Sequence, residues 1–323
     1  MIKIGVLYGM EDSFPPALVD RINAMHVEGV EAGHLKVGEV EMAAPSGYGV
    51  IVDRISHDIP FYRAYLKNAV LGGTKVINNP FWWSADDKFF NYSLAGKLGV
   101  AVPPTVLLPH KLHPPGTTAQ SMRNLNYPLD WDAIFGHIGF PAFLKPYNGG
   151  GWKSVYPVHS PQEFFAAYDQ SGDLCMTLQR AVNFEEYFRC YVVDRTHVHI
   201  MRYDPRQPHH LRYVPGNPAP AAALAERMER DALTLCRSLG YDLNTVEFAV
   251  EGGIPYAIDF LNPAPDASLE SVGPDHFHWI VEAVARMAVE RALAPSEALP
   301  YHWAAFVAPE RTAALAGHGG APK

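Results

Sequence analysis

Residues 143–154 read Phe-Leu-Lys-Pro-Tyr-Asn-Gly-Gly-Gly-Trp-Lys-Ser and combine a lysine with three consecutive glycines. Lys145 ends an apolar strand, and a glycine-rich loop follows it directly. Consecutive glycines let backbone N–H groups approach a phosphate closely, and the lysine adds a point charge for the same phosphate. The lysine precedes the glycines, so the stretch is not a P-loop. A hairpin turn with an edge lysine fits the same residues.

A second stretch predicts a hairpin that carries acids on one face. Apolar residues alternate along both strands, with Glu247 in the first strand and Asp259 in the second. A three-residue turn at Glu251–Gly253 places Glu247 opposite Ala257 and diagonal to Asp259. With Asn262 just beyond, two carboxylates and an amide make a hard-oxygen site suited to Mg²⁺ shared with phosphates. The alternative is a solvated polar face of an amphipathic hairpin.

The order of predicted elements divides the chain into two styles. Strands at Ile2–Leu7, Gly49–Asp53 and Lys75–Asn78 alternate with helices, and this βαβ rhythm implies a parallel sheet covered by helices. The later two-thirds predicts helices mixed with antiparallel strands. The fold class is therefore α/β plus α+β, with a domain boundary near residue 85.

Composition excludes several classes of partner and setting. The formal net charge of -8 makes nucleic acid a poor candidate, because such a chain repels phosphate backbones. Three cysteines without CxxC spacing predict neither a disulfide framework nor a zinc site and fit a reducing, cytoplasmic setting. No apolar run reaches the length of a membrane span, so no membrane partner is expected.

Two further features are candidates for ligand contacts. Residues 178–186 run from an apolar strand into a loop that contains acids. Such a hinge can present backbone groups to an adenine edge and a carboxylate to ribose hydroxyls, although most such segments are plain connections. Arg54 ends a parallel strand and faces the cleft where open α/β sheets bind ligands, so it is a candidate for holding a substrate carboxylate.

Taken in order, these pieces resemble the ATP-grasp superfamily, and most of all its glutathione synthetase-like and ribosomal-protein glutamate ligase branch. The ordered set covers about residues 1–290 and consists of residues 52–56, 74–80, 85–88 and 98–105, then Lys145 with its loop, the hinge, Arg189, and the Glu247, Asp259 and Asn262 trio. The resemblance implies an ATP-grasp fold in three parts: an N-terminal Rossmann-like (pre-ATP-grasp) domain over 1–84, a small α+β lobe with the glycine loop over 85–175, and a large α+β lobe with the Mg²⁺ site over 176–310. The Gly/Ala-rich composition that follows predicts a flexible tail over 311–323.

The resemblance also implies a role for each site residue. The residues expected to bind ATP are Lys88 and Lys145 at the phosphates, Gly149, Gly150, Gly151 and Ser154 in the closing loop, Gln179, Arg180 and Val182 around adenine, and Glu186 at the ribose. The remaining roles are Mg²⁺ binding by Glu247, Asp259 and Asn262, and catalysis by Arg202 and Arg189 together with Lys145. The chain departs from the family pattern at Gln179, where an acid is common, at Asp259, where glutamate is usual, and in the longer spacing from Asp259 to Asn262.

The implied activity is that of an ATP-dependent carbon–nitrogen ligase. A small-molecule carboxylate is activated as its acyl phosphate, an amine displaces the phosphate, and ADP and phosphate are released. Dimers are frequent in such families, so a homodimer is one expectation. A non-catalytic ATP-binding sensor or assembly protein and a kinase-like phosphotransferase are the alternatives. Residues 110–135 and 204–218 have no readable signature, yet they are expected to shape specificity.

Overall fold

Three four-stranded sheets form the framework of the part of the chain that the computed structural model describes, which is residues 1–83, 87–149, 152–295, 301 and 303. The strand orders are β2-β1-β3-β4 in the first sheet, β5-β8-β6-β7 in the second and β10-β9-β11-β12 in the third. The strands are β1 (Ile2–Leu7), β2 (Val30–His34), β3 (Val50–Asp53), β4 (Lys75–Ile77), β5 (Thr105–Leu108), β6 (Ala142–Pro146), β7 (Tyr156–Val158), β8 (Met176–Arg180), β9 (Glu186–Val193), β10 (His197–Arg202), β11 (Leu243–Glu251) and β12 (Ile254–Asp259).

Helices connect and cover these sheets. They are α1 (Phe14–Ala24), α2 (Pro60–Leu71), α3 (Pro80–Trp83), α4 (Lys88–Lys97), α5 (Trp131–Ile138), α6 (Pro161–Gln170), α7 (Ala222–Leu239), α8 (Leu269–Val272) and α9 (Pro274–Leu293). None of the helices in the described ranges combines the length and apolar character needed to cross a lipid bilayer.

The first sheet is parallel throughout, as the βαβ rhythm of the sequence predicts. Strand β1 is central and pairs with both β2 and β3, while the β4 edge is short. The sequence pattern does not predict β2, because Val-Glu-Ala-Gly-His is short, carries a glycine and shows no strict alternation. The second and third sheets are antiparallel, which agrees with the predicted α/β plus α+β class. The lobe boundaries themselves stay a prediction.

A buried asparagine joins the first sheet to the third. Asn78 follows β4, is almost fully buried, and accepts a hydrogen bond from Leu243 N at 2.7 Å. Its Nδ2 donates to Leu243 O at 2.6 Å and to Pro263 O at 2.8 Å. Apolar residues of both sheets also share one core, in which Ile4 lies with Tyr191. The parallel sheet therefore fixes both the start of β11 and the segment after β12.

Residues Met1–Ala292 form one compact unit and Leu293–Lys323 form a second. In the second unit the rings of Tyr301 and Trp303 stack with their centroids 4.8 Å apart. The predicted flexible tail over 311–323 lies outside the described residues.

Candidate active site

A cavity of about 540 Å³ opens between the second and third sheets. Its wall contains ten of the residues that the sequence singles out: Lys88, Lys145, Gly149, Gln179, Arg180, Val182, Arg189, Glu247, Asp259 and Asn262. They come from α4, β6, the glycine-rich loop, β8 with the hinge after it, β9, β11, β12 and the segment after β12. Residues far apart in the chain therefore meet at one cleft. Gly150 and Gly151 lie outside the described residues.

The acidic hairpin has a different register from the predicted one. Its turn has two residues, Gly252 and Gly253, both with positive φ (57° and 74°), so Glu251 pairs with Ile254. The predicted three-residue turn is therefore wrong. The register then shifts between Phe248, which faces Ala257, and Glu247, which faces Asp259. This irregularity brings the two acids directly opposite each other, closer than the predicted diagonal pair.

Asn262 completes the oxygen cluster after β12. Its backbone N–H donates to Asn244 Oδ1 at 3.0 Å, and its Nδ2 donates to Thr245 O at 3.1 Å. These bonds to β11 orient the amide, whose Oδ1 is the atom suited to a cation. No group of three or more His, Cys, Asp or Glu side chains within the described ranges is arranged to hold a metal. The donor set is thus two carboxylates and one amide oxygen, which suits a hard cation such as Mg²⁺.

Lys88 neutralises one of the two acids. It opens α4, whose N-cap Asp87 accepts a hydrogen bond from Phe90 N at 2.7 Å. Its Nζ lies 3.4 Å from Asp259 Oδ2, and this attraction raises the pKa of Lys88. Partial burial alone would raise the pKa of Asp259, but the charges of Lys88 and Lys145 outweigh it and lower that pKa.

Lys145 has only neutral hydrogen-bond partners among the described residues. Its Nζ donates to Tyr92 Oη and to Gln179 Oε1, each at 2.8 Å. Gln179 is almost fully buried and donates in turn to Thr105 Oγ1 at 2.8 Å. Burial of the amine and the nearby charge of Lys88 lower the pKa of Lys145 to about 7. An anionic ligand in the cavity would therefore give Lys145 a charged partner and stabilise its protonated form.

Arg189 neutralises the second acid. Its Nε donates to Glu247 Oε1 at 3.1 Å, and Tyr187 Oη donates to Glu247 Oε2 at 2.5 Å. The guanidinium also donates from Nη1 to Tyr213 Oη at 2.8 Å and lies 4.6 Å from the centroid of the Tyr203 ring. Tyr187 and Tyr203 also pack together with Val182 and Phe184, so this aromatic cluster connects the acids to the hinge.

The hinge that follows β8 is bound to β11 of the third sheet. Arg180 Nη1 donates to Glu251 Oε2 at 2.8 Å, and Asn183 N donates to Glu251 Oε1 at 2.8 Å. Glu251 thereby fastens the hinge to the end of β11, beside the hairpin turn. Phe143 and Val182 give the cavity apolar walls beside the hinge.

Four predicted site residues lie outside the cavity wall. Arg202 donates to Glu186 Oε2 at 2.6 Å, so the predicted catalytic arginine and the predicted ribose ligand bind each other. Arg54 is 4% exposed and pairs with Glu11. Ser154, the fourth, follows the glycine-rich loop and has a φ of 54°. Their proposed contacts with ligands stay predictions.

Two tyrosines of the site, Tyr92 and Tyr187, are not predicted by the sequence motifs. Tyr92 bridges Lys145 to Ile258 O, to which its hydroxyl donates at 2.6 Å. Its spacing of four residues from Lys88 in a helix is the signal that could have found it. Tyr187 lies two residues before Arg189 in β9, and period-2 alternation puts both on the face of Glu247.

Solved structures of similar architecture include several ligases. Similar structures include the D-alanine–D-alanine ligase from Bacillus anthracis complexed with ATP (TM-score 0.62, 17% identity, covering 91% of this chain and 97% of that one). Others are the VanG D-Ala:D-Ser ligase from Enterococcus faecalis (0.63, 15%, 90% and 99%) and a RimK domain ATP-grasp protein from Sphaerobacter thermophilus (0.60, 20%, 89% and 99%). No family model matches the chain, and curated protein sequences give no significant match. At these identities the similarity concerns the fold, and the chain has the ATP-grasp fold that its ordered motifs predict.

Proposed function

We propose that this chain is an ATP-dependent carboxylate–amine ligase that uses Mg²⁺ and works through an acyl phosphate. The observation that carries the proposal is the meeting of Lys88, Lys145, Glu247, Asp259 and Asn262 at one cavity. Phosphoryl transfer needs cations on the phosphates and oxygen ligands for the metal, and this cavity offers both. The ligases named above share the fold, which supports the reaction class.

The order of residues along the cleft suits ATP with a carboxylate beside its terminal phosphate. Adenine would lie at the hinge between Phe143 and Val182, and the phosphates would reach Lys145 and Lys88. Glu247, Asp259 and Asn262 would hold Mg²⁺, which supplies positive charge to the phosphate oxygens when it is bound. The predicted adenine, phosphate and metal contacts thus follow one another from the hinge toward the acids.

The proposed reaction has two steps, phosphorylation of the carboxylate and attack by the amine. An oxygen of the substrate carboxylate attacks the γ-phosphorus of ATP, and the bond to the bridging oxygen breaks to release ADP. The amine nitrogen then attacks the acyl carbon, inorganic phosphate leaves, and the nitrogen loses a proton. Lys88 and Arg189 keep the two acids neutralised before the nucleotide binds, and the glycine-rich loop would limit access of water to the acyl phosphate.

The proposal includes the finer expectations from the sequence. The substrates are a small-molecule acid and a small-molecule amine, nucleic acid is not a partner, and a homodimer in a cytoplasmic setting is expected. Cys190 and Cys236 are buried free thiols, which fits a reducing compartment.

The test is an ADP-release assay with a panel of carboxylic acids and amines, and with hydroxylamine as a trap for acyl phosphates. Lys145→Ala should weaken nucleotide binding, and Lys97→Ala, which removes an exposed lysine at the end of α4, should not. Absence of ADP release with every pair, together with unchanged nucleotide affinity in Lys145→Ala, would overturn the proposal.

Two alternatives give different outcomes in the same assay. Formation of ADP without hydroxamate would favour a kinase-like phosphotransferase. Nucleotide binding without any turnover by the unmodified protein, unchanged in Glu247→Gln, would favour a sensor or assembly protein.

A further inference from the structure

The ammonium group of Lys145 has two hydrogen-bond partners among the described residues and a third N–H without one among them. Nζ donates to Tyr92 Oη and to Gln179 Oε1, each at 2.8 Å. An ammonium group carries three donors in tetrahedral positions. Two fixed acceptors therefore also fix the direction of the third N–H. Lys145 lines the cavity, so that direction decides whether the lysine can donate to a phosphate there.

The two carboxylates of the cavity have cationic partners other than Lys145. Glu247 pairs with Arg189, and Asp259 lies 3.4 Å from Lys88 Nζ. Within the ranges that the structure describes, no ion pair joins Lys145 to either acid. The third N–H of Lys145 is therefore available to an anionic ligand in the cavity, and its orientation matters for binding that ligand.

The Tyr92 hydroxyl can only accept from Lys145, because its own proton is used elsewhere. It donates to Ile258 O at 2.6 Å, and a carbonyl oxygen has no proton to return. Burial raises the pKa of Tyr92, so the hydroxyl keeps that proton. The Tyr92 ring also packs edge-to-face on Phe260, with the centroids 5.7 Å apart. Packing therefore fixes the place of the hydroxyl, and Ile258 O fixes its direction.

A second series of hydrogen bonds orients the Gln179 amide. Gln179 Nε2 donates to Thr105 Oγ1 at 2.8 Å, and Thr105 Oγ1 donates to Pro103 O at 2.9 Å. Pro103 O can only accept, as Ile258 O does in the first series. The Thr105 hydroxyl must therefore accept from the amide, which turns Nε2 toward Thr105 and Oε1 toward Lys145. Without this hydroxyl the amide is free to rotate by half a turn and present a donor to Nζ.

We propose that Tyr92 and Thr105 are positioning residues that orient Lys145 toward the nucleotide phosphates. Thr105 acts through the amide of Gln179. The inference rests on the proposed function. Lys145 and Gln179 lie in the wall of the cavity, whereas Tyr92 and Thr105 lie behind it. Their effect on a nucleotide should therefore depend on Lys145 and on the presence of phosphate.

The experiment compares a non-hydrolysable ATP analogue with adenosine, each titrated into the protein by calorimetry in the presence of Mg²⁺. Tyr92→Phe and Thr105→Val should each lower the affinity for the analogue about tenfold, the size expected for one misdirected charge-assisted hydrogen bond. The affinity for adenosine should stay within about twofold of that of the unmodified protein, because adenosine has no phosphate for Lys145 to bind.

Two controls separate the orientation of Lys145 from a general loss of structure. Thr105→Ser retains the hydroxyl and should bind the analogue like the unmodified protein. Tyr168→Phe removes a tyrosine hydroxyl that also donates to a backbone carbonyl, Pro109 O at 2.5 Å. Tyr168 packs in the core beside the second sheet, away from the cavity wall, so this variant should leave both affinities unchanged.

The deciding measurement repeats both substitutions in a Lys145→Met background. There Tyr92→Phe and Thr105→Val have no ammonium group to orient, so each should change the affinity for the analogue by no more than about twofold. An equal tenfold loss with and without Lys145, or no loss when Lys145 is present, would overturn the inference. If Tyr92→Phe does not fold, Thr105→Val against Thr105→Ser decides in the same way. Failure of the unmodified protein to bind the analogue would instead overturn the proposed function, and the inference with it.

Discussion

Nucleotide affinity should fall steeply with pH, because Lys145 binds phosphate only in its protonated form. The pKa of Lys145 is lowered to about 7 by burial and by the charge of Lys88. The phosphates of a bound nucleotide favour the protonated lysine and raise that pKa. Free protein must therefore take up a proton at Lys145 when a nucleotide binds above pH 7.

The magnitude follows from the protonated fraction of the free protein. With a pKa of about 7 that fraction falls from roughly 0.24 at pH 7.5 to roughly 0.01 at pH 9.0, so the apparent Kd should rise about 25-fold. This window avoids the last ionisation of the nucleotide phosphates. Titration calorimetry of an ATP analogue with Mg²⁺ across the window measures the slope of log Kd against pH.

Two variants make the assay specific for this lysine. Lys145→Arg keeps its charge at every pH used and should give a flat profile. Gln179→Glu replaces the neutral acceptor that lies 2.8 Å from Nζ with a carboxylate, which should raise the pKa of Lys145 and flatten the profile above pH 7.5. The slope is the readout, because the glutamate also lacks the Nε2 donor to Thr105. A wild-type profile as flat as that of Lys145→Arg would refute the reasoning.

The pH dependence of stability differs in sign from the pH dependence of nucleotide affinity. A lysine whose pKa is lowered in the folded state binds fewer protons than the same lysine in the unfolded chain. Between about pH 7 and 10.5 the contribution of Lys145 to the free energy of unfolding therefore rises with pH. Affinity falls over the same window, so the two effects have opposite signs and can be separated by a parallel urea titration at each pH.

Three further predictions concern the metal cluster and the framework that holds it. Asp259→Asn should lower ADP release with Mg²⁺ by about 100-fold or more while binding of a metal-free nucleotide is not weakened, which stopped-assay kinetics and calorimetry check. Gly253→Ala should lower the free energy of unfolding by about 1 kcal/mol because φ is 74° there, and Gly253→Asn should cost less in the same urea titration. Asn78→Ala should cost about 3 kcal/mol, since three hydrogen bonds of a buried amide are lost, and an unchanged urea midpoint would contradict the bridging role.

The sequence predicts the sheets well where a local pattern determines them. Apolar runs predict β1, β3 and β4 to within about two residues, as expected for short buried segments. The apolar pattern does not predict β2, because an edge strand of a parallel sheet needs little apolar alternation when a neighbouring strand supplies the hydrogen bonds. Tertiary pairing, and not the local pattern, makes it a strand.

The hairpin register shows a second limit. Alternation of apolar residues predicts an odd turn, because it assumes that both strands keep period 2 throughout. The structure has a two-residue turn at Gly252 and Gly253 and a shift of register before Asp259. The shorter turn and the register shift compensate each other. Glu247 and Asp259 therefore still share a face of the hairpin, although the predicted turn length is wrong. Apolar alternation shows that the two strands bury the same face, but it determines neither the turn length nor the register shift separately.

The arginines show that a sequence pattern does not reveal which of them form ion pairs in the folded chain. The strand end predicts a ligand contact for Arg54 and the resemblance implies one for Arg202, yet the fold gives each a carboxylate partner, Glu11 and Glu186. Arg212 lies in a Pro-rich loop without a signature, and its partners are neutral. A cation can serve a ligand only to the extent that the protein has not already supplied its counter-ion. Arg54 and Glu11 are 43 residues apart, so this pairing is decided by tertiary structure and no local sequence pattern reveals it.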